Sequence, residues 1–149
     1  MKISEPVLLD SNVLIYTQDS DFPFYKISTN LVKMVTQGEL EGVLAYQNLL
    51  EFYSVITNKK RVTAPVLPEL AFSMIENYLN SPFRIVYPNI RTASVFSGLF
   101  QKCPVPAGEI FDVFLAATML SNNISTIITA NTKDFEGFKN IQIIDLKSL

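Results

Sequence analysis

Short apolar runs, each bounded by turn-forming residues and followed by helical spacing, most restrict the fold of this 149-residue chain. Val7–Leu9 is the first, stopped by Asp10-Ser11-Asn12, a triplet that turns the chain or caps a helix. Gly42–Ala45, Arg84–Val86, Thr126–Thr129 and residues 141–144 are the others. Between them, helical patterns cover residues 25–37, 47–58, 68–79, 91–101 and 109–121, and a shorter helix opens at residues 13–17. Gly38 closes one of these helices, Pro68 starts another, and Ser81-Pro82 ends it. This alternation predicts an α/β/α sandwich around a central, mainly parallel sheet. Ligands of such sheets gather beyond the carboxyl ends of the strands. Asp10 and Ala130-Asn131 both follow strands and are expected to meet in one cleft.

Hydrophobic residues make up 48% of the chain and charged residues 17%, which fits one domain over residues 1–149 and excludes disorder. The apolar excess exceeds what a lone small domain needs, so a homodimer or a bound partner is expected to cover it. A net charge of -2 offers no global attraction to phosphates; nucleic-acid binding requires local basic residues or metal ions. Cys103 stands alone, which excludes an internal disulfide framework and fits a reducing cytosol. No apolar stretch reaches the roughly 18 residues that span a bilayer. Met1-Lys2-Ile3-Ser4-Glu5 lacks the apolar region of a signal peptide, so a cytoplasmic protein is expected. The absence of histidine removes the Ser-His-Asp triad, the Cys-His dyad, the usual zinc sites and metal-free RNA cleavage by a histidine pair. Carboxylate chemistry remains, and oxygen ligands suit Mg²⁺ or Mn²⁺. No glycine-rich phosphate loop is present.

Three acids interrupt apolar surroundings. Asp10 ends Pro6-Val7-Leu8-Leu9, Glu51 lies within Leu49-Leu50-Glu51-Phe52-Tyr53, and Asp112 lies within Ile110-Phe111-Asp112-Val113-Phe114. A carboxylate placed so is costly unless paired, hydrogen-bonded or metal-bound. Asp10 fits either an N-cap or a catalytic group. Glu51 borders a predicted apolar stripe of Leu50, Tyr53 and Ile56 and has Gln47 and Val55 at i±4, which aims it into a cleft. Asp112 also suits the first turn of its helix, where an acid favours the macrodipole. One divalent cation would satisfy all three.

Leu8-Leu9-Asp10-Ser11-Asn12-Val13-Leu14-Ile15 resembles the opening motif of the PIN-domain nucleases, especially the VapC-type toxins. Glu51-Phe52 and Phe111-Asp112-Val113-Phe114-Leu115-Ala116-Ala117 match that family's second and third acidic positions. Ile127-Ile128-Thr129-Ala130-Asn131-Thr132-Lys133-Asp134-Phe135 is similar to its final motif. The resemblance spans Leu8 to about Ile144. It implies a metal-dependent endoribonuclease that hydrolyses RNA phosphodiester bonds, a small protein antitoxin as partner, and a homodimer. It makes Asp10 and Asp112 ligands of Mg²⁺ or Mn²⁺, and has Glu51 bind a second ion or orient the attacking water. Ser11, Asn12, Thr129 and Asn131 then supply supporting hydrogen bonds.

One position departs from the pattern. Many members of the family carry a fourth acid where this chain has Asn131; Asp134 either compensates for it or only caps a short turn. Lys59-Lys60-Arg61 ends the Glu51 helix, as a solvated cluster that offsets the helix dipole or as a phosphate contact. Asn131 feeds an alternative, a catalytically weakened PIN module that binds RNA or protein. A phosphatase with Asp10 as nucleophile would want a second Asp at position 12, where the chain has Asn.

Overall fold

The computed structural model describes residues 3–149; Met1 and Lys2, part of the stretch read for a signal peptide, lie outside the described residues. The chain runs β1 (Val7–Leu9), α1 (Ser11–Tyr16), α2 (Tyr25–Thr36), β2 (Gly42–Ala45), α3 (Tyr46–Ile56), α4 (Pro68–Leu79), β3 (Arg84–Val86), α5 (Thr92–Lys102), α6 (Ile110–Ser121), β4 (Thr126–Thr129) and β5 (Gln142–Asp145). Sheet order is β3-β2-β1-β4-β5, and all four pairings among the described residues are parallel.

Side chains alternate across the sheet, so each strand feeds two cores. Val7, Leu9, Leu44, Ile128 and Ile144 face a core shared with Leu14, Leu31, Leu49, Phe52 and Ile75 of α1 to α4. Leu8, Val43, Ala45 and Ile127 face the opposite core, with Val113, Leu115, Ala116 and Met119 of α6 and with Phe135 and Phe138. The result is the expected α/β/α sandwich. Gly42 has no alternative at its site, because a Cβ there would run into Val35 and Phe83.

Two boundaries shift for local reasons. The first helix begins at Ser11 rather than near Val13, because the Asp10 carboxylate caps it directly through the Ser11 N–H. The third begins at Tyr46, where the buried Asn48 side chain accepts from the Ala45 N–H. One sequence expectation is corrected. The buried stripe of α3 is Leu49, Phe52 and Ile56, while Leu50 is 53% exposed. The i, i+3, i+7 row turned to the sheet starts one residue earlier than expected, which leaves Leu50 beside Glu51 on the open side. No helix among the described residues is long and apolar enough to cross a membrane.

Candidate active site

Strand order reverses at β1, with β2 on one side and β4 on the other. The carboxyl ends of β1 and β4 therefore open a crevice, the usual ligand position in a parallel sheet. Asp10 extends β1 by one residue, and its N–H donates to the Ile128 carbonyl at 3.0 Å. This fixes the backbone from which the carboxylate projects. The side chain is 7% exposed and collects donors. Its Oδ1 accepts from the Ser11 N–H at 2.7 Å, and its Oδ2 accepts from Asn12 Nδ2 and Thr129 Oγ1, each at 2.7 Å. Asn12 Nδ2 also donates to Thr129 Oγ1 at 3.0 Å, and Asn12 Oδ1 accepts from the Ala130 N–H at 3.2 Å. Asn131 joins through its main chain, donating to Thr129 Oγ1 at 3.0 Å, while its side chain is exposed.

Glu51 comes from the second turn of α3. Its Oε2 accepts from Ser11 Oγ at 2.9 Å and its Oε1 from Gln47 Nε2 at 2.8 Å. Asp112 stands in the first turn of α6, a helix buried along most of its length below that point. Asp134 enters from the 3-10 turn Thr132–Asp134 after β4. Together Asp10, Ser11, Asn12, Glu51, Asp112, Asn131 and Asp134 line one cleft of about 700 Å³. Carboxylates from four separate segments thus face a common space.

Burial, with repulsion added to it, raises the proton affinity of two of them, Asp10 and Asp112. Burial pushes the Asp10 carboxyl up to about 6, against the lowering effect of the Thr129 hydrogen bond and with a further push from Glu51. Asp112 is pushed up to about 7 by burial and then by the charges of Asp134, Asp10, Glu51 and Glu109. Among the described residues, no three acidic, histidine or cysteine side chains already form a group that could hold a metal ion. The acids share a cleft without forming a finished cage. The donor set nonetheless suits a hard divalent cation: every candidate ligand is oxygen, and a nearby positive charge favours the ionised form and so opposes both raised values.

Of the basic cluster, only Arg61 lines the cleft. Lys59 and Lys60 are exposed in the turn that follows α3 and do not line it. Gln47 and Phe111 are among the lining residues that carry no role in the sequence reading. Gln47 was visible there only as an i−4 neighbour of Glu51. Phe111, 63% exposed at the cleft, reads in sequence as one more apolar residue of its helix.

Residues 7–141 match the model of the family described as PIN domain. Ribonuclease VapC48 of Mycobacterium tuberculosis is 28% identical over 140 residues, covering 91% of this chain and 94% of the relative. Ribonuclease VapC43 of the same organism is 26% identical over 135 residues, covering 90% of each. In fold, the chain resembles FitAcB from Neisseria gonorrhoeae, with a TM-score of 0.70 at 16% identity over 96% of this chain and 99% of that one. It also resembles VapBC2 from Rickettsia felis bound to a promoter DNA fragment, with a TM-score of 0.66 at 19% identity over 95% and 98%. The family match begins at the first residue of β1 and takes in every acid of the cleft, and the chain belongs to the PIN-domain family.

Proposed function

We propose that this chain is a divalent-metal-dependent endoribonuclease, the toxin of a toxin–antitoxin pair, hydrolysing RNA phosphodiester bonds in the cytoplasm. The observation that carries the reading is the meeting of Asp10, Glu51, Asp112 and Asp134 in one cleft at the reversal point of the sheet. The relatives named as ribonucleases supply the substrate class. Mg²⁺ or Mn²⁺ is the expected cofactor, held by Asp10 and Asp112 with Glu51 and Asp134 beside them. When bound, such an ion offsets phosphate charge and lowers the pKa of water toward neutrality.

The chain's own residues divide the work. Asp10 is the pre-set anchor, because Ser11, Asn12 and Thr129 fix both of its oxygens. Glu51 is held between Ser11 and Gln47 in the lining of the cleft, where it would bind a second ion or orient the attacking water. Asp112 holds a proton near neutral pH as long as nothing positive faces it. Arg61 lines the same cleft and would meet an entering phosphate. Without a cation the cleft would repel RNA.

A small protein antitoxin is the expected partner, the chain being similar in fold to a toxin–antitoxin complex from Klebsiella pneumoniae. The apolar excess of the sequence supports a second copy of the chain as another. Leu67, Leu70 and Phe72, at the start of α4, are 70%, 54% and 54% exposed and offer apolar surface for such contacts. A second reading, a PIN module that binds RNA or protein without cutting, is favoured by Asn131 and by the absence of a ready-made ligand cluster among the described residues. Incubating the purified chain with structured RNAs in Mg²⁺, Mn²⁺ or chelator separates the two. Cleavage that chelator stops supports the nuclease; no cleavage and no thermal stabilisation at any Mn²⁺ concentration supports the binding module.

A further inference from the structure

Gln47 occupies a position that packing alone does not explain. Its Nε2 donates twice, to Glu51 Oε1 at 2.8 Å and to the Phe111 carbonyl at 3.0 Å. The first bond restrains a carboxylate one helical turn away on α3. The second crosses to α6 and grips the peptide carbonyl immediately before Asp112. One amide thus ties the side chain of one candidate ligand to the backbone that carries another.

The amide is held in this orientation at a cost. Gln47 Oε1 is shut off from solvent and finds no donor among the described residues. Turning the amide over would place that oxygen against a carboxylate and a carbonyl, both acceptors, so the orientation is dictated by Glu51 and Phe111. A buried acceptor left unpartnered calls for a reason beyond folding, and such departures gather at functional sites.

The linkage extends further. Ser11, bonded to Asp10 through its N–H, donates its hydroxyl to Glu51 Oε2 at 2.9 Å. Asp10, Ser11, Glu51, Gln47 and the Phe111–Asp112 peptide therefore form one continuous path across α1, α3 and α6. Every other link in it is a candidate ligand, its neighbour in sequence or Ser11. Gln47 alone has no acid of its own and serves only to connect.

We propose that Gln47 is a positioning residue that sets the spacing between Glu51 and Asp112, and so determines how well the two share a divalent cation. This rests on the nuclease reading above. Gln47→Met keeps the length and volume of the side chain and removes both donors. The test is Mn²⁺ binding to the full chain by titration calorimetry, with thermal melts in chelator as the check on folding. The expected result is a loss of about tenfold or more in Mn²⁺ affinity, the usual range for a group that orients a ligand, at a nearly unchanged chelator melt. RNA cleavage should fall in kcat with little change in KM. In a Glu51→Gln background the same substitution should cost much less, because the partner it orients has gone.

Wild-type Mn²⁺ affinity in Gln47→Met, or a loss that adds in full to that of Glu51→Gln, overturns the assignment and leaves the nuclease reading standing. A wild-type chain that binds no Mn²⁺ and cleaves no RNA overturns both. If Gln47→Met melts early in chelator, Gln47→Ala replaces it, and the non-additivity with Glu51→Gln decides the matter.

Discussion

On the β1 side of the cleft Asp10 is 7% exposed and surrounded by donors, whereas on the α6 side Asp112 is half-buried and faces mostly other acids. The less buried group is nonetheless the more perturbed, rising to about 7 against about 6 for Asp10. Burial acts on both. At Asp10 the Thr129 and Ser11 hydrogen bonds oppose it, while at Asp112 every contribution points upward. Hydrogen bonds within the chain have settled one wall; the other is left for an outside positive charge to settle. On the nuclease reading, a pre-set anchor facing an unsatisfied partner would let an ion be seated without rebuilding the fold.

The sharpest way to break this contrast is substitution at the two acids. Asp112→Asn should lower RNA cleavage by more than about a hundredfold, beyond the usual cost of losing an outer hydrogen bond. Its melting temperature in chelator should stay at or above that of the wild type, because it removes a carboxyl whose ionisation burial and the neighbouring acids oppose. Asp10→Ala should also abolish cleavage, but it strips partners from the Ser11 N–H, Asn12 and Thr129 and removes a helix cap. It should therefore be less stable than Asp112→Ala by about 1–3 kcal/mol, the cost of stranded buried donors. Equal melts for the two Ala variants would mean that the walls do not differ in kind.

Acid titration probes the same difference without mutation. Both carboxyls hold protons more tightly in the fold than their ordinary value of 3.8 allows in an unfolded chain. Between about pH 4 and pH 7 the folded state therefore binds more protons, and metal-free stability should fall as pH rises through that window. Asp112→Asn should make that slope shallower and leave the remainder to Asp10. Mn²⁺ competes with the same protons, so the melting shift it produces should grow across that interval. A Mn²⁺ shift independent of pH would disconnect these acids from metal binding.

Thr129 tests the settled wall alone. Its hydroxyl donates to Asp10 and accepts from Asn12 and from the Asn131 N–H. Thr129→Val keeps the shape and removes that junction, and should cost about 1.5–3 kcal/mol, as for a hydrogen bond to a charged group. The Asp10 carboxyl should then titrate higher still, and Mn²⁺ binding should weaken. A neutral substitution would place the order of this wall in the backbone rather than in its hydrogen bonds.

What the sequence revealed follows from the range over which each feature is decided. Pro68–Leu79 carries its start signal at Pro68 and its stop at Ser81-Pro82, and its bounds came out as read. Val7–Leu9 and Thr126–Thr129 are short and fully buried, so their apolar runs mark them unambiguously. Asp10, Glu51 and Asp112 stood out because charge within apolar sequence is a local contradiction. The exposure of Leu50 depends instead on which row of α3 meets the sheet, a tertiary choice that one-residue spacing cannot resolve. The second partner of Gln47 lies 64 residues away in sequence, and no local pattern encodes it. The expected cage of acids was legible only as a shared cleft, because repulsion among its members is a property of the assembled site.

The smallest expected effect separates residues that sequence placed together. Lys59, Lys60 and Arg61 form one basic run, yet only Arg61 lines the acidic cleft. A cation at that rim can meet a phosphate entering the cleft, while exposed lysines in the following turn interact mainly with solvent. Arg61→Ala should therefore weaken RNA binding modestly and lower the slope of log affinity against log salt by about one. Lys59→Ala and Lys60→Ala should each change that slope by much less, with melting temperatures unchanged in all three, since surface charges contribute little to stability. Asp112→Asn protein, expected to be inactive and assayed by fluorescence anisotropy on labelled RNA in Mn²⁺, would allow binding to be read without cleavage. An equal loss from all three substitutions would mean that the run acts as a diffuse basic patch, with nothing to distinguish the residue at the rim.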